Sequence, residues 1–187
     1  ERWKTEARRH YARLQLPAKK TTLLVGMVTR LVSQKGIDLL PDSLPAVLRE
    51  RDLRLAVLGN GEPRYERFIR ELQQAFPAQV AFHQGYSEEL AHWIEAASDA
   101  FLMPSLYEPC GLNQLYSLKY GTVPIVRRTG GLADSVQQWD PATRTGTGIL
   151  FDHYDAPAVR WALELALELY ADRAAWKQLV QNGMAQD

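Results

Sequence analysis

The 187-residue chain has one cysteine, Cys110, so it cannot form an internal disulfide bond. Its 22 basic and 22 acidic residues cancel, which leaves no overall positive charge to attract nucleic acid or an anionic bilayer. No apolar run approaches the roughly 20 residues of a membrane span, and the charged first residues do not begin a signal peptide. We therefore expect no nucleic-acid or membrane partner and a cytoplasmic setting. A plastid is the alternative if a longer precursor carries a transit peptide.

The sequence also lacks the usual patterns of a metal or phosphate site. The four histidines, His10, His83, His92 and His153, show no ligand spacing, so we predict no metal site. Neither GxGxxG nor a Walker motif is present, so single side chains and short turns must hold any bound phosphate. No histidine lies near Cys110 in sequence, which favours a small buried thiol over a nucleophile.

Six short apolar runs alternate with segments of helical spacing. The predicted strands are 21–28, 53–58, 80–83, 101–103, 123–126 and 148–151. This alternation is typical of parallel strands joined by right-handed crossovers, and it predicts a doubly wound, Rossmann-like α/β sheet. The length fits one domain, 1–187, in which 1–20 form a lead-in helix and linker that Pro17 ends.

The helical segments carry start and stop signals. Ser87 is a predicted N-cap, Gly121 a predicted left-handed C-cap, and Pro41 a predicted break in the segment 37–49. Further helices are predicted at 64–76, 112–120, 158–170 and 172–181. The helix at 112–120 is indicated by apolar residues that recur at Leu112, Leu115, Tyr116 and Leu118. In the helix at 158–170, Trp161, Leu165 and Leu169 are predicted to face the core.

Polar or flexible residues follow five of the predicted strands. In chain order they are Arg30 and Lys35, Asn60 and Gly61, Tyr86, Glu108, and Gly130 with Gly131. Ligands of doubly wound sheets bind beyond the carboxyl ends of the strands. We therefore expect these groups to converge on one rim of the sheet.

Each of these groups has a plausible chemical role and a plainer alternative. Arg30 and Lys35 suit a diphosphate, or are solvated surface cations. Glu108 could accept hydrogen bonds from sugar hydroxyls, or cap the following helix. Tyr86 could stack on a base, or be a half-buried tyrosine. The pair 130–131 could approach a phosphate through bare backbone, or form a tight turn.

Four motifs, in order and spacing, resemble those of bacterial glycogen synthase and plant starch synthase. They are RLVSQKG at 30–36, EPCGLNQL at 108–115, YGTVP at 120–124 and RTGGLAD at 128–134. The resemblance spans nearly the whole chain. It implies a fold, the C-terminal half of a two-domain GT-B glycosyltransferase, whose N-terminal half is absent from this sequence.

The resemblance also implies residue roles. Arg30 and Lys35 would hold the nucleotide diphosphate and stabilise the leaving group, and Glu108 would bind the donor glucose, so these three are the predicted catalytic residues. Backbone groups of residues 130 and 131 would contact phosphate or sugar, and Tyr86 would face adenine. The further predicted donor-site residues are Gly61, Gly111, Leu112, Tyr116 and Thr129.

The implied reaction is retaining transfer of glucose from ADP-glucose to the non-reducing end of an α-1,4-glucan. ADP-glucose is a substrate, and no metal or organic cofactor is expected. Many relatives carry a second glutamate eight positions after the first, where this chain has Tyr116. A UDP-sugar-dependent GT-B enzyme and a non-catalytic nucleotide- or glucan-binding homologue remain the alternatives. We expect this half to be inactive without its N-terminal domain.

Overall fold

The structure is a computed structural model that describes residues 2–11 and 16–186. Its strands are β1 (Leu23–Leu31), β2 (Leu53–Gly61), β3 (Val80–Gln84), β4 (Ala100–Met103), β5 (Val123–Arg127) and β6 (Ile149–Phe151). They form one sheet in the order β3-β2-β1-β4-β5-β6, and every neighbouring pair is parallel. The predicted doubly wound fold is confirmed. The strand order reverses between β1 and β4, which is where such sheets bind ligands.

Helices cover both faces of this sheet. They are α1 (Arg2–Tyr11), α2 (Leu44–Glu50), α3 (Pro63–Ala75), α4 (Glu88–Ala97), α5 (Asn113–Tyr120), α6 (Gly130–Ser135), α7 (Ala156–Ala171) and α8 (Arg173–Met184). α2, α3 and α7 contribute to the larger apolar core, whereas α1 and α4 contribute to a second one. β1 serves both cores because its side chains alternate: Val25 and Met27 lie in the first, and Leu24 lies in the second.

The local start and stop signals are confirmed. The Ser87 side chain accepts a hydrogen bond from the Leu90 backbone N–H at 3.2 Å, and Gly121 ends α5 in the left-handed conformation with φ of 70°. The segment with the predicted break at Pro41 divides into a 3₁₀ turn at Ile37–Leu39 and the short helix α2. Residues 12–15 of the predicted lead-in helix lie outside the described residues.

Two strands run further than predicted. Thr29, Arg30 and Leu31 continue β1 because they pair in register with residues 59–61 at the end of β2. The prediction that Arg30 and Gly61 lie in loops is therefore wrong, since both lie at the ends of paired strands.

A turn was predicted at Gly130 and Gly131, but Gly131 lies in the first turn of α6.

The apolar residues of α5 do not all lie on its buried face. Leu112 and Tyr116 are 61% and 41% exposed, whereas Gln114, Ser117 and Leu118 are buried. Polar side chains can occupy the inner face because they find partners there. The Gln114 amide donates to backbone oxygens of the preceding loop, and the Ser117 hydroxyl donates to a buried carboxyl group.

On α7, Trp161 was predicted to face the core, yet it is 52% exposed. The residues that pack inward are Val159, Ala162, Leu163, Ala166 and Leu167. Two alanines on this face let the helix lie close to its neighbours, and the large indole remains on the outer side. Leu165 and Leu169 are partly buried against the core.

Candidate functional site

A cleft of about 550 Å³ lies beyond the carboxyl ends of β1, β2, β3 and β4. It is placed where the strand order reverses, because the loops after β1 and β4 diverge there. Seven of the predicted site residues line it: Arg30, Lys35, Tyr86, Glu108, Gly111, Leu112 and Tyr116. The groups that were expected to converge on one rim do so in part: Arg30, Lys35, Asn60, Tyr86 and Glu108 line the cleft, whereas Gly61, Gly130 and Gly131 do not.

The centre of the cleft is an ion pair between Lys35 and Glu108. Lys35 Nζ lies 2.6 Å from Glu108 Oε2, and the Ser105 hydroxyl donates to the same oxygen at 3.2 Å. Glu108 is only 7% exposed, and both of its side-chain hydrogen bonds among the described residues come from side chains, Lys35 and Ser105, and not from a backbone N–H of α5. Its carboxylate is oriented by two donors and faces the cleft.

Lys35 reaches Glu108 because its turn packs tightly against the end of β4. Lys35 closes a 3₁₀ turn, and the next residue, Gly36, has φ of 79°. A Cβ atom at Gly36 would overlap with the backbone oxygen of Pro104. Only glycine allows this approach, which brings residues 73 positions apart into contact.

Arg30 occupies the end of β1 and presents its side chain to the same cleft. It is exposed, and its guanidinium forms no hydrogen bond or ion pair with the residues that the structure describes. Five N–H donors are therefore available to an anionic ligand. The cleft therefore contains two cations: Lys35 is paired with Glu108, whereas Arg30 has no partner among the described residues.

The Glu108 loop is held from behind by α5 and α6. Gln114 Nε2 donates to the backbone oxygens of Cys110 and Gly111 at 2.9 and 3.0 Å, and the Gly131 backbone N–H donates to the Glu108 oxygen at 2.9 Å. A Cβ atom at Gly130 would overlap with that same oxygen. The paired glycines therefore allow α6 to contact the loop.

Four predicted donor-site residues do not line the cleft: Gly61, Thr129, Gly130 and Gly131. The N–H group of Gly131 is already bonded to the protein, so it is not available as it stands to a phosphate. Contact between these four residues and a donor stays a prediction.

Two expectations about exposure are wrong. Tyr86 is 75% exposed at the rim of the cleft, not half-buried, because its loop leaves open space around Gly85. Cys110 is exposed, not a buried thiol, because α5 and α6 contact its backbone oxygen and leave the side chain outside.

The polar side of α4 was missed by the sequence reasoning. Glu88, His92 and Glu95 recur at helical spacing and line the cleft, whereas the apolar residues of α4 face the second core. Glu95 is 3% exposed, Ser117 Oγ donates to its Oε1 at 3.1 Å, and burial raises its pKa to about 8. The sequence signal for this polar side was the spacing of Glu88, His92 and Glu95 by four and then three residues, which places them on one face of the helix, opposite its apolar residues.

Asn113 was also missed. Its side-chain amide donates to the backbone oxygen of Val28 at 3.1 Å, which ties the first turn of α5 to β1 across the cleft floor. Sequence gives little indication of this contact, since the two residues are 85 positions apart.

Comparison with known proteins assigns the chain to a family. Residues 10–182 match the family described as glycosyl transferases group 1. The chain belongs to this family. It is 51% identical over 172 residues to the glycogen synthase of Anaeromyxobacter dehalogenans (strain 2CP-C) and 50% identical over 176 residues to that of Thioalkalivibrio sulfidiphilus (strain HL-EbGR7). In both cases the match covers 92% of this chain and 36% of the relative.

Among solved structures, the catalytic domain of starch synthase IV from Arabidopsis thaliana, bound to ADP and acarbose, superposes with a TM-score of 0.89. It is 36% identical, and the match covers 98% of this chain and 39% of that one. The predicted resemblance to glycogen and starch synthases is confirmed, as is the fold of one half of a GT-B glycosyltransferase. The chain spans little more than a third of the length of these glycogen synthases and of the starch synthase.

Two further features concern the described residues alone. Within 2–11 and 16–186, no group of three or more His, Cys, Asp or Glu residues is arranged to hold a metal ion. None of the helices in that part of this glycosyltransferase chain is both long and apolar enough to cross a membrane.

Proposed function

We propose that this chain is the donor-nucleotide half of a glycogen or starch synthase that uses ADP-glucose. The whole enzyme would transfer glucose to the non-reducing end of an α-1,4-glucan with retention of configuration. The observation that carries the proposal is one cleft, at the reversal of strand order, that contains both cations and the oriented carboxylate of Glu108. Similarity to glycogen synthases at about 50% identity supports it.

The charges in the cleft suit the breaking of a bond between a sugar and a diphosphate. As that bond breaks, negative charge grows on the diphosphate and the sugar becomes oxocarbenium-like. The cations of Arg30 and Lys35 would stabilise the developing negative charge. Their effect is therefore on the transition state more than on substrate binding.

Glu108 would orient the donor sugar. Its Oε2 accepts from Lys35 and Ser105, whereas Oε1 has no hydrogen-bond partner among the described residues. That oxygen can accept a hydrogen bond from a sugar hydroxyl. Tyr86, at the rim, offers an exposed ring for stacking on the adenine base.

Other parts of the proposal concern the rest of the protein. The glucan acceptor would bind between this half and the N-terminal domain, so the chain alone should bind nucleotide and turn over nothing. No metal or organic cofactor is part of the proposal. A cytoplasmic setting, or a plastid one for a precursor with a transit peptide, stays a prediction.

Calorimetry of ADP and UDP with this chain tests the proposal. We expect ADP to bind more tightly than UDP, and Arg30→Ala and Lys35→Ala to weaken ADP binding. The matched control is Arg67→Ala, which removes an exposed arginine of α3 outside the cleft. Tighter binding of UDP would favour a UDP-sugar enzyme.

Turnover of the full-length protein tests catalysis. Lys35→Ala should lower turnover of ADP-glucose at least tenfold, equivalent to about 1.4 kcal/mol of barrier. Unchanged kinetics would refute the role of Lys35. Nucleotide binding by a full-length protein that transfers no glucose would favour a non-catalytic homologue.

A further inference from the structure

Glu95 is a buried carboxyl group that opens onto the cleft and has an incomplete set of hydrogen bonds. It lies near the end of α4, where that helix contacts α5. Its residue is 3% exposed, yet it lines the cleft together with Asn113 and Tyr116. Ser117 donates to Oε1, whereas Oε2 has no partner among the residues that the structure describes.

This arrangement is poorly explained by a purely structural role. A single hydroxyl donor compensates little of the cost of burying a carboxyl group. Burial raises the pKa of Glu95 to about 8, so the free energy of unfolding is lower than it would be with a neutral isostere. Ionisable groups that cost stability and face a cleft are characteristic of functional sites.

The chemistry of Glu95 indicates which part of a nucleotide it can bind. Arg30 and Lys35 provide cations in the cleft, and Tyr86 provides an exposed ring. Glu95 lines the same cleft from α4, where that helix packs against α5, the helix that carries Asn113 and Tyr116. A carboxyl group repels phosphate when charged, but it bonds well to hydroxyl groups in either protonation state.

In a nucleoside diphosphate, the hydroxyl groups are those of the ribose, between the base and the phosphates. We propose that Glu95 Oε2 hydrogen-bonds a ribose hydroxyl of the bound nucleotide, which makes Glu95 a residue that selects ribonucleotides over deoxyribonucleotides. The inference rests on the proposed function and assigns the part of that site which binds the sugar of the nucleotide. Ser117 orients the carboxyl group from α5.

The test compares four ligands, namely ADP, 2′-deoxy-ADP, 3′-deoxy-ADP and inorganic pyrophosphate, by calorimetry with this chain. The original chain should bind one of the deoxy analogues about tenfold more weakly than ADP, because the buried oxygen loses its partner. Glu95→Leu should bind ADP and that analogue equally. Glu95→Gln, which keeps the shape and hydrogen-bonding capacity, should retain part of the discrimination.

Two controls separate recognition from folding. Glu89→Gln removes an exposed carboxylate of α4 that does not line the cleft, and it should leave all four affinities unchanged. Pyrophosphate has no ribose, so neither substitution at Glu95 should alter its affinity. Thermal unfolding of each variant checks that the fold is retained.

The outcomes distinguish this inference from the proposed function. If ADP binds but Glu95→Leu keeps the original ratio between ADP and its deoxy analogues, Glu95 is structural and the inference is overturned. Equal binding of ADP and both analogues by the original chain overturns it as well. If neither ADP nor pyrophosphate binds, the proposed function fails, and the inference fails with it.

Discussion

Replacing Glu95 with Gln should stabilise the chain increasingly as the pH rises from about 4.5 to 8. Burial raises the pKa of Glu95 from 4.5 to about 8 in the folded chain. Between these pH values the folded state keeps a proton that the unfolded state has released. Since the folded state then binds more protons, the free energy of unfolding falls as the pH rises. Glutamine has no such proton and removes this contribution.

The magnitude follows from the size of the shift. A change from 4.5 to about 8 is about 3.5 pH units, and each unit corresponds to about 1.4 kcal/mol, which sets an upper bound of roughly 5 kcal/mol. Glu95 lines an open cleft, where water and local relaxation reduce the cost of charge burial. We therefore expect a gain of roughly 2 kcal/mol at pH 8 and little gain at pH 4.5.

Urea unfolding followed by circular dichroism at pH 5, 6.5, 8 and 9 measures this difference. Lys4 changes the absolute curve, because burial lowers its pKa from 10.5 to about 8. The folded state then releases that proton before the unfolded state does, so the contribution of Lys4 to stability rises between pH 8 and 10.5. This effect is common to both proteins and cancels in the difference between them.

The reasoning would be refuted if Glu95→Gln changed the free energy of unfolding by the same amount at every pH. A constant offset would mean that Glu95 is ionised in the folded chain as readily as in the unfolded one. If the stabilisation by Glu95→Gln instead grew as the pH fell, its pH dependence would have the opposite sign to the one expected, and this would contradict a raised pKa for the buried carboxyl group.

Two further predictions concern the Glu108 loop. In a double-mutant cycle, Lys35→Met and Glu108→Gln should show a coupling energy of roughly 1–2 kcal/mol in urea unfolding, because both side chains are largely buried. If the two substitutions lowered the free energy of unfolding additively, the ion pair would not contribute to stability. Gly130→Ala should lower the free energy of unfolding by at least about 2 kcal/mol, because φ of 47° is strained for alanine and its Cβ atom would overlap with the backbone oxygen of Glu108. An unchanged melting temperature would disprove that packing.

Most of the architecture was predictable from the sequence, because it depends on local patterns. Apolar runs alternating with helical spacing specify parallel strands and crossovers, so the doubly wound sheet follows. Ser87, Gly121 and Pro41 act on the backbone next to them, so their effects can be read without tertiary contacts. The convergence of Arg30, Lys35 and Glu108 was predictable for a related reason. The carboxyl ends of parallel strands lie at one edge of a sheet.

Tertiary structure decided which side of each element faces which neighbour. The inner face of α5 carries Gln114 and Ser117 beside Leu118, because the Gln114 amide donates to the backbone of the preceding loop and the Ser117 hydroxyl donates to Glu95, 22 positions away. Likewise, Gly130 and Gly131 contact the Glu108 loop, not the cleft.

Glu95 shows the same dependence most clearly. Its sequence neighbours give no sign that its carboxyl group is buried, since the burial arises from packing of α4 against α5 and from Ser117, 22 positions away. The sequence by itself therefore determined the sheet and the strand ends that bring the site together. Only the tertiary structure decided the environment of each side chain there, because burial and hydrogen bonding are set by neighbours in space.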